Sequence, residues 1–255
     1  MAWALTRKEF FTMILTVDEK KSSKKELKEL RKIEEARARQ AAQKQNMVKW
    51  IIIGGLSLIF ITFFATIIVL LKKDVAPTSL SSDGWTRGNE AARITLVEFA
   101  DFQCPACKAY QPFVAQLLAD KEVGPQVKLL FKHFPLSIHK NAIAAARASE
   151  AAGIQGKFWE YHDLLYEKQE EWAELPALDA EKMFVGYADS LKLDKSKFEL
   201  DLKSDVLAEK VTSQVSEGAS AGVLGTPSFF INGKKIENPQ SLDEFKQIIQ
   251  DASKE

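Results

Sequence analysis

The sequence predicts an α/β domain that contains a helical insertion and follows a single transmembrane helix. Three features indicate this arrangement. Residues 50–71 form an apolar run without a charge, and short β-rich runs alternate with helical patterns from residue 88 onward. The third feature is a pair of cysteines, the only two in the chain, placed where one of these strands meets a helix. A chain of 255 residues is long enough for one domain with a hydrophobic core beyond the membrane segment.

The apolar run at residues 50–71 has the length of a membrane-spanning helix. It contains twenty-two residues, and about twenty apolar residues span a bilayer. The run is too long for the apolar region of a cleaved signal peptide, and 49 residues precede it. A buried core helix is the alternative, but neither flank supplies a helical domain that would surround it. We therefore expect residues 50–71 to lie in the lipid bilayer.

The basic residues on each side of this run predict its orientation. Six Lys or Arg residues stand within the twenty positions before it, and three stand within the twenty positions after it. Because the more basic flank stays in the cytoplasm, residues 1–49 are predicted to be cytoplasmic and residues 72–255 to lie outside the cell membrane. Lys72 and Lys73 at the membrane edge weaken this asymmetry. The cysteine pair supports it, since disulfides persist mainly outside the cytosol.

The cytoplasmic segment, residues 1–49, does not have the composition of a packed domain. Its pattern is partly helical, with a capping box at Ser23 and Glu26. The apolar stripe is thin, which favours a solvated or membrane-surface helix over a short coiled coil. The sequence assigns no role to this segment and leaves open whether translation starts at Met1 or Met13. A net charge of zero gives no indication of nucleic-acid binding.

The outer domain is predicted to follow a linker at residues 72–87, whose Pro, Ser and Gly residues show no periodicity. Two buried strands and a hairpin are predicted at residues 94–100, 127–134 and 228–236. The hairpin is indicated by Asn232 and Gly233, which favour a type I′ turn. A closing helix is predicted to start at a capping box of Ser241 and Glu244.

Helical patterns fill the segment between the second strand and the hairpin. The predicted helices cover residues 141–152, 157–171 and 179–191 and a further stretch that carries Leu207, Val211 and Val215. Gly153 is predicted to end the first of these helices as its C′ residue. The apolar stripes along the helices indicate packing in a core, and the sequence indicates no cofactor.

The cysteines form the motif Cys104-Pro105-Ala106-Cys107, directly before a predicted helix over residues 108–120. At a helix N-terminus, unpaired amides and the helix dipole stabilise a thiolate. A C-x-x-C dithiol in this setting is redox-active, with thiol pKa values of about 3.5 to 7.5. The close spacing excludes a disulfide framework, and the histidines lack the spacing that would complete a zinc site. We therefore predict a redox-active dithiol and no metal, with an incidental buried pair as the alternative.

Residues 85–252 resemble the DsbA-like thiol-disulfide oxidoreductases of the membrane-anchored bacterial type, a family with a thioredoxin fold and a helical insertion. Four stretches carry the resemblance: the strand and turn at residues 96–107, insertion signatures at residues 134–142 and 155–163, and a proline loop at residues 222–233. The resemblance implies a thioredoxin-like domain composed of residues 88–136 and 221–255. Residues 137–220 would form the helical insertion.

The motif and the resemblance together assign roles around the dithiol. Cys104, at the helix N-terminus, is the predicted nucleophile, and Cys107, one turn further, is the predicted buried resolving thiol. Pro105 and Ala106 are predicted to contribute to substrate binding. Some relatives carry a histidine before the second cysteine. Ala106 therefore predicts a less depressed Cys104 pKa and a less oxidising disulfide.

The proline loop supplies the second part of the predicted site. The resemblance implies that Thr226-Pro227 is a cis peptide that faces the dithiol. The backbone of Thr226 would then pair with an extended substrate segment by strand addition. Pro112 within the following helix matches the kinked active-site helix of thioredoxin folds.

Glu98 is a carboxylate within the apolar strand that leads to Cys104. One interpretation is an edge-strand glutamate that points to solvent. The other, which the resemblance favours, is a buried carboxyl group with a raised pKa that relays a proton to or from Cys107. Lys132 on the neighbouring strand is the candidate partner of Glu98. The three histidines are expected to cap or bridge the insertion; they are His133, His139 and His162.

These features favour a membrane-tethered enzyme that introduces disulfides into exported proteins. Exported protein thiols would be its substrates, and a membrane redox partner would recycle the dithiol. One alternative keeps the fold but reverses electron flow, giving a disulfide reductase or isomerase fed by a membrane electron carrier. Another alternative is a non-catalytic anchored chaperone module. The sequence does not identify the substrates, the partner or the oligomeric state.

Overall fold

The computed structural model describes residues 28–29, 32, 37, 39–40, 43–45, 47, 49–64, 66 and 78–254. It divides the chain into two units, Met1–Asp74 and Val75–Glu255. Helix α1, Gln43–Phe64, lies in the first unit, and by length and composition its 22 residues are suited to crossing a membrane. This helix begins before the predicted span at residues 50–71. The end of that span and the capping box at Ser23 and Glu26 lie outside the described residues.

A mixed sheet forms the centre of the second unit. Its strands, within the described residues, are β1 Trp85–Gly88, β2 Ile94–Ala100, β3 Val127–His133, β4 Ser228–Ile231 and β5 Lys234–Lys235. The order across the sheet is β1-β3-β2-β4-β5, with β2 parallel to β3 and antiparallel to β4. The predicted strands and hairpin are confirmed, and Asn232 and Gly233 adopt positive φ at the hairpin turn.

Helices cover both faces of this sheet. Their bounds are α2 Pro105–Ala119, α3 Ala142–Ile154, α4 Phe158–Glu167, α5 Gln169–Trp172, α6 Ala177–Ser190, α7 Lys195–Leu202, α8 Asp205–Ser220 and α9 Leu242–Ala252, with a 3₁₀ turn at Gly124–Gln126. Helices α2 and α9 pack together and share one apolar cluster with the sheet. Helix α8 contacts β3, and α3 lies at the centre of the inserted helices, where it contacts α4, α6, α7 and α8.

Alternation along β2 assigns its side chains to the two faces of the sheet. Leu96 packs in one cluster with Val114 of α2, whereas Val97 and Phe99 belong to the cluster on the opposite face. Burying one large apolar side chain contributes about 1.5–3 kcal/mol, so the two clusters determine the register of this central strand. Glu98 therefore lies on the same face as Leu96, which α2 covers.

Strand β1 corrects the predicted linker at residues 72–87. Residues 85–87 belong to this strand, which pairs antiparallel with β3. The Trp85 ring stacks on Phe158 with ring centroids 4.4 Å apart, and its Nε1 donates to Glu150 at 2.8 Å. Both partners belong to the inserted helices, so the local composition of the linker did not reveal them.

Helix α3 also departs from the prediction, because it continues through Gly153. The helix ends at Ile154, and Gly156, with φ of +75°, follows it. Gly153 is needed for packing instead: a Cβ at this position would overlap the ring of Trp85. A glycine that looked like a helix terminator is therefore the contact point between α3 and β1.

The remaining helices follow the predicted pattern with two differences. The predicted helix at residues 157–171 is divided into α4 and α5, and α7 was not predicted. Asp194 caps α7 by accepting a hydrogen bond from the Lys197 amide at 2.9 Å. At the start of α9, Ser241 accepts from the Glu244 amide at 3.1 Å, which confirms the predicted cap.

Candidate active site

The turn between β2 and α2 places Cys104 at the N-cap of the helix. Pro105 occupies the first helical position, where an amide would have no partner within the helix. The amide of Cys104 donates to the carbonyl oxygen of Asp101 at 3.1 Å, which closes the turn. The Cys104 sulfur thus lies where the helix amides and dipole favour a negative charge.

The surroundings of Cys104 lower its pKa from 9.0 to about 5. The largest cause is a hydrogen bond from the Cys107 thiol; the amides of Ala106 and Cys107 add to it, and partial burial opposes it. The Cys104 residue keeps 6% of its surface exposed. When the cysteine pair is reduced, Cys104 is therefore a thiolate at neutral pH.

Cys107 has the opposite properties. It is fully buried. Burial raises its pKa well above the usual value, and the hydrogen bond and negative charge of Cys104 add to this effect. The Asp101 amide donates to the Cys107 sulfur at 3.5 Å. One sulfur is thus reactive and reachable, while the other is protonated and enclosed.

The loop before β4 brings Thr226 and Pro227 against the dithiol. The Thr226-Pro227 peptide is cis, and the Cys104 sulfur lies 3.4 Å from the carbonyl oxygen of Thr226. Pro105 and Ala106 are exposed beside Cys104. An open cleft of about 570 Å³ borders the loop and is lined by residues 224–228, 235–238 and 240. Apart from the buried Cys107, the predicted residues of the motif and the proline loop therefore lie close together around the Cys104 sulfur. They are Cys104, Pro105, Ala106, Thr226 and Pro227.

Glu98 is fully buried in the central strand, so it does not point to solvent from a sheet edge. Gln111 of α2 donates from Nε2 to its Oε1 at 3.3 Å, and its Oε2 has no hydrogen-bond partner among the described residues. Burial raises the pKa of Glu98 from 4.5 to about 8, although the Gln111 hydrogen bond lowers it in part. The negative charge of Glu98 in turn raises the pKa of Cys107.

The expected pairing of Lys132 with Glu98 is wrong. In the parallel register Lys132 lies opposite Phe99 and therefore points to the other face of the sheet. Its Nζ donates to Glu217 Oε2 at 2.6 Å. The sequence placed both residues on adjacent strands, but only the register decides which side chains share a face.

Two polar side chains that the sequence analysis did not select hold the active-site turn. Asp101 is buried, and its Oδ2 lies 2.6 Å from His139 Nδ1. Gln169 of α5 donates from Nε2 to the carbonyl oxygens of Phe102 at 2.7 Å and Cys104 at 3.1 Å. A carboxylate directly after a buried strand was a usable signal for Asp101. No local pattern indicated Gln169.

The three histidines contact carboxylates. His133 of β3 lies 3.0 Å from Glu150 of α3, which joins the sheet to the insertion. His162 lies 2.8 Å from Asp163, and burial lowers the pKa of His162. The contacts of His133 and His139 agree with the expected bridging positions, and His139 reaches the active-site turn through Asp101. His162 instead contacts its sequence neighbour within α4.

Several solved structures are similar to this chain. The oxidised BdbD of Bacillus subtilis is 26% identical, covers 72% of this chain and all of its own, and has a TM-score of 0.61. DsbA2 of Pseudomonas aeruginosa is 26% identical, with 67% of this chain and 93% of its own chain covered and a TM-score of 0.52. The α-DsbA1 of Wolbachia pipientis, at 20% identity and a TM-score of 0.59 over 68% of this chain and 92% of its own, shares the fold.

The chain is also similar to one part of several much longer curated proteins. The Na⁺/H⁺ antiporter NhaA 3 of Salinispora tropica is 36% identical over 167 residues, which is 65% of this chain but 24% of that protein. The antiporter NhaA of Herminiimonas arsenicoxydans is 35% identical over 59% of this chain and 22% of its own length. This chain thus spans about a quarter of the length of these relatives.

The family itself is identified by a match over most of the chain. A sequence model of the thioredoxin family matches residues 81–251, which include both cysteines, Glu98 and the proline loop. The matched region also contains the inserted helices of this chain, and the structures of BdbD and α-DsbA1 cover 72% and 68% of the chain. The chain therefore belongs to the thioredoxin family and, within it, to the DsbA-like thiol-disulfide oxidoreductases.

Proposed function

We propose that the protein is a membrane-tethered oxidase that introduces disulfides into exported proteins through Cys104 and Cys107. The observation that carries this proposal is the contrast between the two sulfurs: the pKa of Cys104 is about 5, whereas that of Cys107 is raised. A stable Cys104 thiolate favours the reduced dithiol. The disulfide is therefore a better oxidant, because its reduction ends in this stabilised state.

The proposed reaction is thiol-disulfide exchange. A substrate thiolate attacks Cys104 in the disulfide, a bond to Cys104 forms, and the electron pair of the broken bond leaves on Cys107. Glu98, with a pKa of about 8, is protonated at neutral pH and gives its proton to Cys107. A second substrate thiolate then attacks the substrate sulfur of the mixed disulfide and releases Cys104 as a thiolate.

The surface around Cys104 suits an extended substrate. We infer that the backbone of Thr226, whose carbonyl oxygen lies 3.4 Å from the Cys104 sulfur, pairs with the substrate chain by strand addition. Pro227 would hold this loop against the dithiol, and the exposed Pro105 and Ala106 would contact the substrate on the other side of Cys104.

Renewed oxidation of the dithiol requires an acceptor of two electrons. Because the sequence contains no other cysteine, this acceptor would be another molecule. We propose a membrane redox partner, because α1 would hold the domain beside the bilayer. We propose that the N-terminus lies in the cytoplasm and the dithiol outside it, because more basic residues stand before the predicted span than after it.

A disulfide reductase or isomerase is the second candidate, and Ala106 favours it. No positive side chain stands between the cysteines to stabilise the thiolate further, which makes the disulfide less oxidising. The two candidates share every residue of the site and differ in the direction of electron flow.

The reduction potential of the full-length protein in detergent micelles, measured against glutathione, tests the proposal. A value near −120 mV supports the oxidase, and one near −270 mV supports the reductase. A Cys104→Ala variant that retains full activity in cells would contradict both and favour a non-catalytic anchored chaperone.

A further inference from the structure

The loop between β3 and α3, residues 134–141, holds the buried carboxylate of Asp101. The Leu136 amide donates to Asp101 Oδ2 at 2.9 Å, and Nδ1 of His139 lies 2.6 Å from the same oxygen. Because carboxylate oxygens only accept, Nδ1 carries the ring proton and donates it. The other carboxylate oxygen accepts from the Gln103 amide at 2.7 Å. Three donors thus fix the Asp101 side chain, which is fully buried, whereas 18% of the His139 side chain is exposed.

The backbone of Asp101 contacts both cysteines. Its amide donates to the Cys107 sulfur at 3.5 Å, and its carbonyl oxygen accepts from the Cys104 amide at 3.1 Å. Asp101 therefore connects His139, through its side chain, with the sulfur of one cysteine and the backbone of the other.

The stability of the Cys104 thiolate depends on the geometry of this turn. The hydrogen bond from the Cys107 thiol is the largest cause of the lowered Cys104 pKa, and hydrogen bonds weaken steeply when they lengthen or bend. A buried carboxylate that loses a donor is costly, so Asp101 would turn toward another donor or toward water. Its backbone contacts with both cysteines would then change as well.

We propose that His139 is a positioning residue for the dithiol, whose hydrogen bond to Asp101 fixes the turn that holds the Cys107 thiol against Cys104. His139 contacts Asp101 and acts on the two sulfurs through it. This role rests on the proposed function of Cys104 as the nucleophile, and it is the same for either direction of electron flow. Ala106 leaves no histidine between the cysteines, and the loop before α3 supplies one behind the turn instead.

The turn keeps other contacts when the His139 side chain is removed. Gln169 donates to the carbonyl oxygen of Cys104 at 3.1 Å, and the Tyr166 hydroxyl donates to the carbonyl oxygen of Asp101 at 3.4 Å. The Leu136 amide still reaches the Asp101 carboxylate. Loss of His139 should therefore loosen the turn without unfolding the domain.

The test compares His139→Ala with His139→Asn in the full-length protein in detergent micelles. Asparagine has an amide donor attached to Cγ, where histidine has Nδ1, but it carries no charge. The equilibrium with glutathione at neutral pH gives the reduction potential, and thiolate absorbance against pH gives the Cys104 pKa. We expect His139→Ala to raise this pKa by about one unit and to make reduction of the disulfide about tenfold less favourable, which corresponds to about 30 mV. His139→Asn should keep the wild-type values.

Ile138→Ala is the matched control in the same loop. The Ile138 side chain precedes His139 and is 81% exposed. Its removal changes the loop without changing the contact with Asp101, so both measured values should match those of the wild type.

Asp101→Asn tests whether His139 acts through Asp101. If it does, adding His139→Ala to Asp101→Asn causes no further change in the reduction potential. An equal shift by His139→Ala with and without the Asp101 carboxylate would overturn the proposal.

The remaining outcomes separate the positioning role from a structural role and from the proposed function. A His139→Ala protein that is less stable to urea but keeps the wild-type potential would overturn the positioning role. Equal shifts in His139→Ala and His139→Asn would also overturn it, because the hydrogen bond would not be the cause. Reduced Cys104→Ser should lose the thiolate that titrates near 5. A thiolate that still titrates there would remove Cys104 as the nucleophile, and the role of His139 with it.

Discussion

At the scale of single residues, the two cysteines show how strongly position determines the chemistry of a thiol. Cys104 lies at the first turn of α2 and receives a hydrogen bond from Cys107, and its pKa falls to about 5. Cys107 lies within the same helix, is fully buried, and has a raised pKa. The same side chain is therefore an anion in one place and a protonated thiol three positions later.

Removing the Cys107 thiol should raise the pKa of Cys104. In Cys107→Ala the largest cause of the lowered pKa is lost, so Cys104 should titrate well above 5. Cys107→Ser keeps a hydroxyl donor and should retain part of the effect. Ultraviolet absorbance of the thiolate in each reduced variant measures the shift. If Cys104 still titrates near 5 in Cys107→Ala, the helix terminus alone accounts for its acidity.

Glu98 should make the stability of the reduced protein depend on pH. Its pKa is raised from 4.5 to about 8. The contribution of the protonated Glu98 to the free energy of unfolding is therefore fully present below pH 4.5 and is lost as pH rises through 8. Glu98→Gln lacks this titration. Relative to the wild type, it should therefore gain stability across this window, on the order of a few kcal/mol. Urea unfolding at a series of pH values measures the difference.

The exposed Glu90, which precedes β2, supplies the control for that series. Glu90→Gln should follow the pH dependence of the wild type. Parallel curves for Glu98→Gln and the wild type would mean that Glu98 is not a buried acid in the folded protein.

At the scale of secondary structure, the contact between α3 and Trp85 joins the inserted helices to the edge strand β1. Gly153 allows the helix backbone to approach the Trp85 ring, and the same tryptophan donates to Glu150 of α3 at 2.8 Å. Lys210 of α8 reaches the same carboxylate at 2.8 Å. His133 of β3 also lies 3.0 Å from Glu150, so four elements that are distant in sequence meet at one buried acid.

Gly153→Ala should destabilise the protein although alanine is the better helix former. The added methyl overlaps the Trp85 ring, and overpacking of this kind costs about 1–3 kcal/mol. Gly186 in α6 is the matched control, because a Cβ there meets no atom of the described residues within 4 Å. Gly186→Ala should stabilise the protein by about 0.5–1 kcal/mol. Urea unfolding of both variants measures the two signs, and equal stabilisation by both would contradict the packing role of Gly153.

At the scale of the whole molecule, the proposed orientation makes residues 72–255, which are most of the chain, accessible from outside the cell. The dithiol can act on exported proteins only if residues 72–255 lie on that side of the membrane. The proposed anchor would confine the enzyme to the membrane surface, where a membrane redox partner would meet it.

Protease added to intact cells or right-side-out vesicles should digest the outer domain and leave a protected N-terminal fragment. This result follows from the excess of basic residues before the apolar run. Detergent lysis before the protease supplies the control, since it should expose both sides. Protection of the C-terminal domain in intact vesicles would reverse the topology.

Local sequence by itself determined the parts of the site that depend on near neighbours. A β-rich run, the cysteine pair and a helical pattern were enough to locate the strand, the turn and the start of α2, because backbone preference and helix capping act within a few residues. The Asn232-Gly233 turn and the Ser241 cap were predictable for the same reason. Family resemblance then supplied the link between the dithiol and the proline loop.

Only the tertiary structure decided the features that depend on partners far along the chain. Trp85 becomes part of a strand by pairing with Phe131 of β3, and its side chain packs against Phe158 and Glu150 of the inserted helices. Gly153 becomes a packing position through Trp85. Strand order and register bury Glu98 beneath α2 and turn Lys132 to the other face. Such features follow from which elements meet and which faces they bury. These long-range contacts form when the apolar clusters are removed from water. Local sequence patterns do not predict them.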